Sequence, residues 1–158
     1  MLQRLTDEIK QAMRDKAKLR LQTLRSIMND FKNSGIEKKG AKGLTQEVAS
    51  PAEFLDESEM VKIIQGAAKR RREAAEQFVL GDRPELAAKE EEELTILQEF
   101  LPEAMGEDEL KGLVAEAIAE VGASSMADMG KVMAIVKDKV DGRAEGGVIS
   151  AIVRGMLG

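Results

Sequence analysis

The residues best suited to chemistry lie near the end of the chain, where Lys139 and Arg143 stand close to Gly146 and Gly147. An apolar stripe of Val148, Ile149, Ile152, Val153 and Met156 follows the two glycines, so they open a last helix. Bare backbone N–H groups at a helix start carry partial positive charge and unsatisfied donors, which suits a phosphate oxygen. Lys131, Lys137 and Arg154 lie nearby in the sequence and complete a basic set able to receive a nucleic-acid backbone. A second reading needs no ligand: Gly142 stops one helix and Gly146-Gly147 makes a tight turn into the next. From composition alone the two stand level.

Catalytic chemistry finds little material. The chain has no histidine and no cysteine, so it lacks the commonest general base, thiolate nucleophiles and thiolate metal ligands. Serines at 26, 34, 50, 58, 124, 125 and 150 form no recognisable nucleophile elbow or Ser-Lys motif. Neither a P-loop nor a GxGxxG run is present. No catalytic residue, metal ligand or cofactor is therefore assigned.

The run Lys69-Arg70-Arg71-Arg72 resembles a nucleic-acid patch until it is wound into a helix. At about 100° per residue its side chains fan around most of the circumference, and Arg71 falls in the apolar stripe. Glu90 and Glu93 lie on the stripe of Leu86, Leu94 and Leu97 in the next helix. An antiparallel hairpin turning at Gly81-Asp82 brings Arg71 level with Glu93, so a structural ion pair is the expected role.

Elements that position these groups are helical throughout. Leu2, Leu5, Ile9, Met13, Ala17, Leu21, Leu24, Met28 and Phe31 recur every three or four residues, predicting one long helix that ends before Gly35. Its basic residues Arg14, Lys16, Lys18, Arg20 and Arg25 suit phosphate or an anionic membrane, but a solvated face is the preferred reading. Residues 34–56, with Gly35, Gly40, Gly43 and Pro51, read as a flexible loop. Asp56 with Glu59 is a capping pair for a second helix that Gly81 stops, and Pro84 opens a third that Pro102 closes. A tail helix on Leu110, Leu113, Val114, Ala117, Ile118 and Val121 ends at Gly122. Ser125 and Asp128 offer a cap for the next, whose stripe is Met129, Val132, Met133, Val136 and Val140. The expectation is an all-α chain: a helical body over residues 1–102, made of a long helix and a helical hairpin, and a three-helix tail over 103–158.

Charge is uneven. Residues 1–43 hold eleven Lys/Arg against five Asp/Glu, whereas 73–110 hold two against thirteen, within a net charge of −5. Local binding to nucleic acid remains open, although the overall field steers weakly. No long apolar run or apolar N-terminal segment suggests a membrane span or secretory signal, and a cytoplasmic protein is expected.

The segment from Asp128-Met129-Gly130-Lys131 through Gly142-Arg143-Ala144-Glu145-Gly146-Gly147 closely resembles the tail of the YqeY family. The likeness continues through Ile96-Leu97-Gln98-Glu99-Phe100-Leu101-Pro102, Arg83 with Leu86, and the Leu-Arg and methionine positions of the first helix. Arg71 and Glu93 also match recurrent family positions. Phe100 stands where family members often have tyrosine, which keeps the ring and removes a hydroxyl. The same tail module forms the C-terminal domain of the GatB component of glutamine-dependent tRNA amidotransferases. The resemblance implies assistance to tRNA-linked metabolism by backbone binding, and tips the glycine corner toward RNA. It also implies carbon–nitrogen ligase activity with glutamine as amido-N-donor, for which the residues supply no active site. The alternative is a protein–protein adaptor that docks on a tRNA synthetase, an amidotransferase or another enzyme.

Overall fold

A computed structural model describes all residues, 1–158. Seven α-helices fall into two compact units, Met1–Leu101 and Pro102–Gly158. No strand is present. The chain is all-α.

The first unit begins with α1 (Leu2–Arg14) and α2 (Lys18–Lys42). The single long helix expected there is thus two helices. Lys16 takes a left-handed conformation at φ 54°, which no continuous α-helix accommodates. The break folds α1 back on α2, burying Leu5 and Ala12 with Leu24, Ile27 and Phe31. Periodicity alone carries through a single left-handed residue, because the apolar stripes on either side remain in phase.

Gly35 does not end the helix. It is buried inside α2, where an added Cβ would lie 1.9 Å from the carbonyl oxygen of Pro51. The glycine permits a 3₁₀ turn, Pro51–Phe54, to press its backbone directly on α2. Ala52 and Leu55 are buried by that contact. Much of the segment read as a flexible loop is therefore ordered: α2 extends to Lys42, Gly43 ends it at φ 61°, and the 3₁₀ turn lies further on.

α3 (Glu57–Leu80) starts with the expected capping box, in which Asp56 accepts from the Glu59 N–H and Glu59 accepts from the Asp56 N–H. Gly81 ends α3, and Pro84 occupies the first turn of α4 (Pro84–Gln98). α3 and α4 pack against each other as a hairpin, and Ala67, Ala68 and Ala75 of α3 and Ala87 of α4 are all buried. Phe100 is buried beyond the end of α4, with the Arg4 guanidinium 4.7 Å above its ring.

The second unit holds α5 (Glu107–Val121), α6 (Met129–Val140) and α7 (Gly146–Leu157) around a separate core. Leu110, Val114, Ala117, Val132, Val136, Val140, Ile149 and Val153 fill it. Gly122 closes α5 in the left-handed conformation. Ser125 caps a short 3₁₀ turn, Met126–Asp128, ahead of α6, and the Asp128 carboxylate accepts from the Ser124 N–H. α6 ends at Asp141 and Gly142, with φ 45° and 80°. The last apolar stripe divides: Ile149 and Val153 are buried, whereas Val148 and Met156 are about half exposed.

Candidate nucleic-acid interface

The glycine corner is built by the reversal from α6 into α7. Two successive left-handed residues turn the chain, and Arg143 is held from both its backbone and its side chain. Its carbonyl accepts from the Met105 N–H at 2.8 Å. Its guanidinium forks onto Glu109 at 2.9 and 3.1 Å and donates Nε–H to the Glu103 carbonyl at 3.2 Å. The hydrogen-bonded Glu109 carboxylate holds the Arg143 pKa above its ordinary value. Such a bidentate fork fixes geometry as well as charge. Arg143 therefore ties the 103–109 segment to the α6–α7 turn. Lys139 donates to Glu120 of α5 at 3.0 Å, bracing α6 against α5.

Two of the expected phosphate ligands thus already hold carboxylates. Lys131 lies 3.9 Å from Asp128, a loose exposed pair. Lys137 and Arg154 are exposed and have no carboxylate within ion-pair distance.

Gly146 and Gly147 occupy the first turn of α7 behind Glu145, whose side chain makes no cap bond to that turn. Neither glycine has positive φ, and a Cβ added at either would touch nothing within 4 Å. Their small size is required neither by backbone conformation nor by packing within the unit. The corner therefore presents uncapped N–H donors on an open, side-chain-free surface. The half-buried Glu145 stands at the N-cap position beside it, a negative charge that opposes an approaching phosphate.

In the first unit, Arg71 donates Nε–H to Glu93 at 2.9 Å and Nη1–H to the Ala67 carbonyl at 3.3 Å. Both charged side chains are largely buried, at 14% and 15% exposure. Its neighbours in the basic run diverge: Lys69 approaches Glu73 along the helix, and Arg70 reaches Asp30 of α2.

Arg20 holds an arrangement that helix periodicity does not announce. It forks onto Glu99 at 3.1 and 2.7 Å and also meets Glu8 at 2.7 Å, joining α1, α2 and the end of α4. Hydrogen bonds to the two carboxylates hold the guanidinium pKa above its ordinary value and the Glu99 pKa below its own. Arg20 is thereby removed from the basic face on which its sequence position placed it. The hint in the sequence was Glu99 within the Ile96–Pro102 run, separated from Arg20 by the whole hairpin.

Known proteins share this arrangement of sequence along the full chain. The family model described as Yqey-like protein matches residues 2–157. The chain belongs to the YqeY family. A relative named altered inheritance of mitochondria protein 41, mitochondrial, from Pyrenophora tritici-repentis (strain Pt-1C-BFP), is 32% identical over 144 residues. That match covers 88% of this chain and 72% of the relative. The family match extends across both compact units, so the body and tail belong to it together. No helix is long and apolar enough to cross a membrane.

Proposed function

We propose that this YqeY-family chain is a cytoplasmic protein that assists tRNA-linked metabolism by gripping tRNA backbone with its tail. The observation that carries the reading is the start of α7, where Gly146 and Gly147 leave N–H donors uncapped and unshielded although the fold demands no glycine there. Lys137 in the last turn of α6 is the free cation near this corner in the chain, whereas Lys131 in the first turn of α6 and Arg154 in the last turn of α7 would extend the grip along the two helices. Lys139 and Arg143 act first as braces, holding the turn through Glu120 and Glu109. Contact would be to phosphate and shape. The tail has no aromatic residue on which a base could stack. Carbon–nitrogen ligase activity with glutamine as donor is not part of this reading, because the chain supplies neither a thiol nor an imidazole for it.

A second reading is favoured by Val148 and Met156, 48% and 45% exposed on α7. Apolar side chains on that helix suit docking to a protein such as a tRNA synthetase or amidotransferase.

Gly147→Glu separates the two. A carboxylate in the first turn of a helix is favourable to the helix itself, and the added side chain meets no neighbour. The fold is therefore retained while negative charge enters the phosphate seat. Mobility shifts with total tRNA, against duplex DNA as control, are expected to show parent binding that the variant weakens. Equal tRNA binding by parent and variant, with circular dichroism unchanged, removes the phosphate seat and advances the docking reading.

A further inference from the structure

Outside the tail, α2 carries a pattern that neither the core nor the ion pairs absorb. Lys18, Arg25, Lys32 and Lys39 recur every seven residues along this 25-residue helix. Seven residues return a helix to within about 20° of the same direction, so the four side chains form one stripe with a rise of about 10.5 Å between neighbours. End to end the stripe spans about 32 Å. All four residues are exposed, and Gln22, Asn29, Ile36 and Gly40 beside the row are uncharged, while the exposed Glu37 lies about 140° or more around the helix from Lys32 and Lys39.

The cations of this stripe differ from others on the body. Arg20, Lys38, Lys69, Arg70, Arg71 and Arg83 each meet a carboxylate within 4 Å. The stripe residues meet none: Arg25 approaches the Met13 sulfur at 3.6 Å, and Lys39 lies 5.7 Å from the centre of the Phe54 ring. At the Lys18 end, Arg14 and Lys16 add two more exposed cations around the α1–α2 corner. In a chain with twenty-nine acidic residues, a row of four cations with no carboxylate in ion-pair reach is a distinct electrostatic surface, its exposed acidic neighbours in the chain being Asp15 and Glu37.

We propose that this face of α2 is a second binding surface, for the phosphate backbone of double-helical RNA, independent of the glycine corner. A row of charges that winds only about 60° along one helix complements an array of phosphates, and Lys and Arg stems are long enough to reach across a groove edge. The ring beside Lys39, Phe54, is half-buried and covered by that ammonium, so the stripe offers no open stacking face and grips without reading bases. An anionic membrane is the poorer complement, because firm adsorption requires apolar groups to insert beside the charges. Ile36 on the row and Met13 beside Arg25 are the large apolar side chains exposed along it, too few to seat a helix of this length in a bilayer surface. The apolar side of α2 is committed to the core through Leu24, Ile27 and Phe31.

The test uses the full-length chain and a fluorescein-labelled RNA duplex of about two helical turns, followed by anisotropy between about 50 and 200 mM salt. Replacing Lys18, Arg25, Lys32 and Lys39 together with Gln retains good helix formers at exposed positions. Four lost phosphate contacts should lower the slope of log K against log salt by about 3.6, and weaken binding at the lower salt by at least about tenfold. A charge-matched control, with Lys10, Lys62, Lys69 and Lys89 changed to Gln, should stay close to the parent. The four stripe substitutions are also made in the Gly147→Glu background, where they should lower the slope by the same amount as in the parent, which makes failure of the tail reading distinguishable from failure of this one. If the quadruple variant loses helicity, the four single variants replace it, each expected to lower the slope by about 0.9. Equal loss in the charge-matched control, or an unchanged slope in the stripe variant, overturns the proposal. Stripe-dependent binding to phosphatidylserine vesicles without stripe-dependent RNA binding overturns it in favour of a lipid surface.

Discussion

Gly35→Ala tests the reasoning about the first unit most directly. In an unhindered helix, alanine in place of glycine stabilises by about 0.5–1 kcal/mol because less backbone entropy is lost on folding. At Gly35 the new methyl would sit 1.9 Å from the Pro51 oxygen and 2.5 Å from its carbonyl carbon. Both are backbone atoms, so no side-chain rotation relieves the clash. The least costly response is retreat of the 3₁₀ turn, which uncovers Ala52 and Leu55. Exposing a leucine costs about 1.5–3 kcal/mol and an alanine methyl about 0.8 kcal/mol. Set against the helix gain, the net loss is about 2–3 kcal/mol, a fall in melting temperature of roughly 10 °C or more for a domain of this size. Gly40 on the same helix provides the control, because a Cβ there meets nothing within 4 Å. Gly40→Ala should raise stability by about 0.5–1 kcal/mol. Thermal and urea unfolding followed by far-ultraviolet circular dichroism measure both. If Gly35→Ala stabilises as much as Gly40→Ala, the close approach of Pro51 does not exist in solution and the account of the turn is wrong.

Arg71→Ala should cost on the order of 3 kcal/mol, because it leaves the Glu93 carboxylate largely buried without its partner. Arg71→Met with Glu93→Leu should recover most of that loss in urea unfolding. Lys16→Gly should stabilise by about 1 kcal/mol, since glycine adopts φ 54° without the Cβ penalty; no gain in melting temperature would count against the left-handed corner. Glu59 and Glu99 have folded pKa values below the ordinary glutamate value of 4.5, held down first by Lys38 and Arg20 respectively. Their contribution to stability is complete above that value and lost as pH falls through the depressed folded values. Acid titration of the melting temperature should therefore decline below about pH 4.5, less steeply in Glu59→Gln. Limited proteolysis should cut first near 44–49 or 102–106, where the backbone lies outside helices; early cleavage near Gly35 would contradict the continuous α2.

The all-helical fold was legible because apolar residues recur at helical spacing and the stops are chemically plain: Gly81, Pro84, Gly122 and Gly142. The hairpin register was legible too, since rotation about two helices was enough to bring Arg71 to Glu93. Gly35 misled because the same residue type serves as a helix stop and as a point of close backbone approach. Only the position of Pro51, distant in sequence, distinguishes the two. Lys16 misled for a different reason: a left-handed break of one residue leaves the apolar rhythm nearly unaltered. At the candidate interface, basic residue types were visible, but their commitments were not. Lys139 finds Glu120 and Arg143 finds Glu109 only once three helices have packed. Val148 and Met156 fit the stripe by spacing, yet a two-turn contact surface left both at its edges.

The Glu59 side chain accepts from the Asp56 N–H and also from the Lys38 ammonium. One carboxylate thereby secures both shores of the 39–58 segment, while the 3₁₀ turn anchors its middle. Beyond the Leu44 N–H, which donates to the Lys39 carbonyl at the end of α2, residues 45–49 have no helical hydrogen bonds to maintain. Extending a loop between fixed ends is inexpensive, because each doubling of its length adds only about 0.6 kcal/mol of closure entropy. The stretch is accordingly a natural splice point. An epitope or a small fluorescent reporter could be inserted there with both helices and their anchoring turn undisturbed, giving a handle on the protein distant in sequence from the tail.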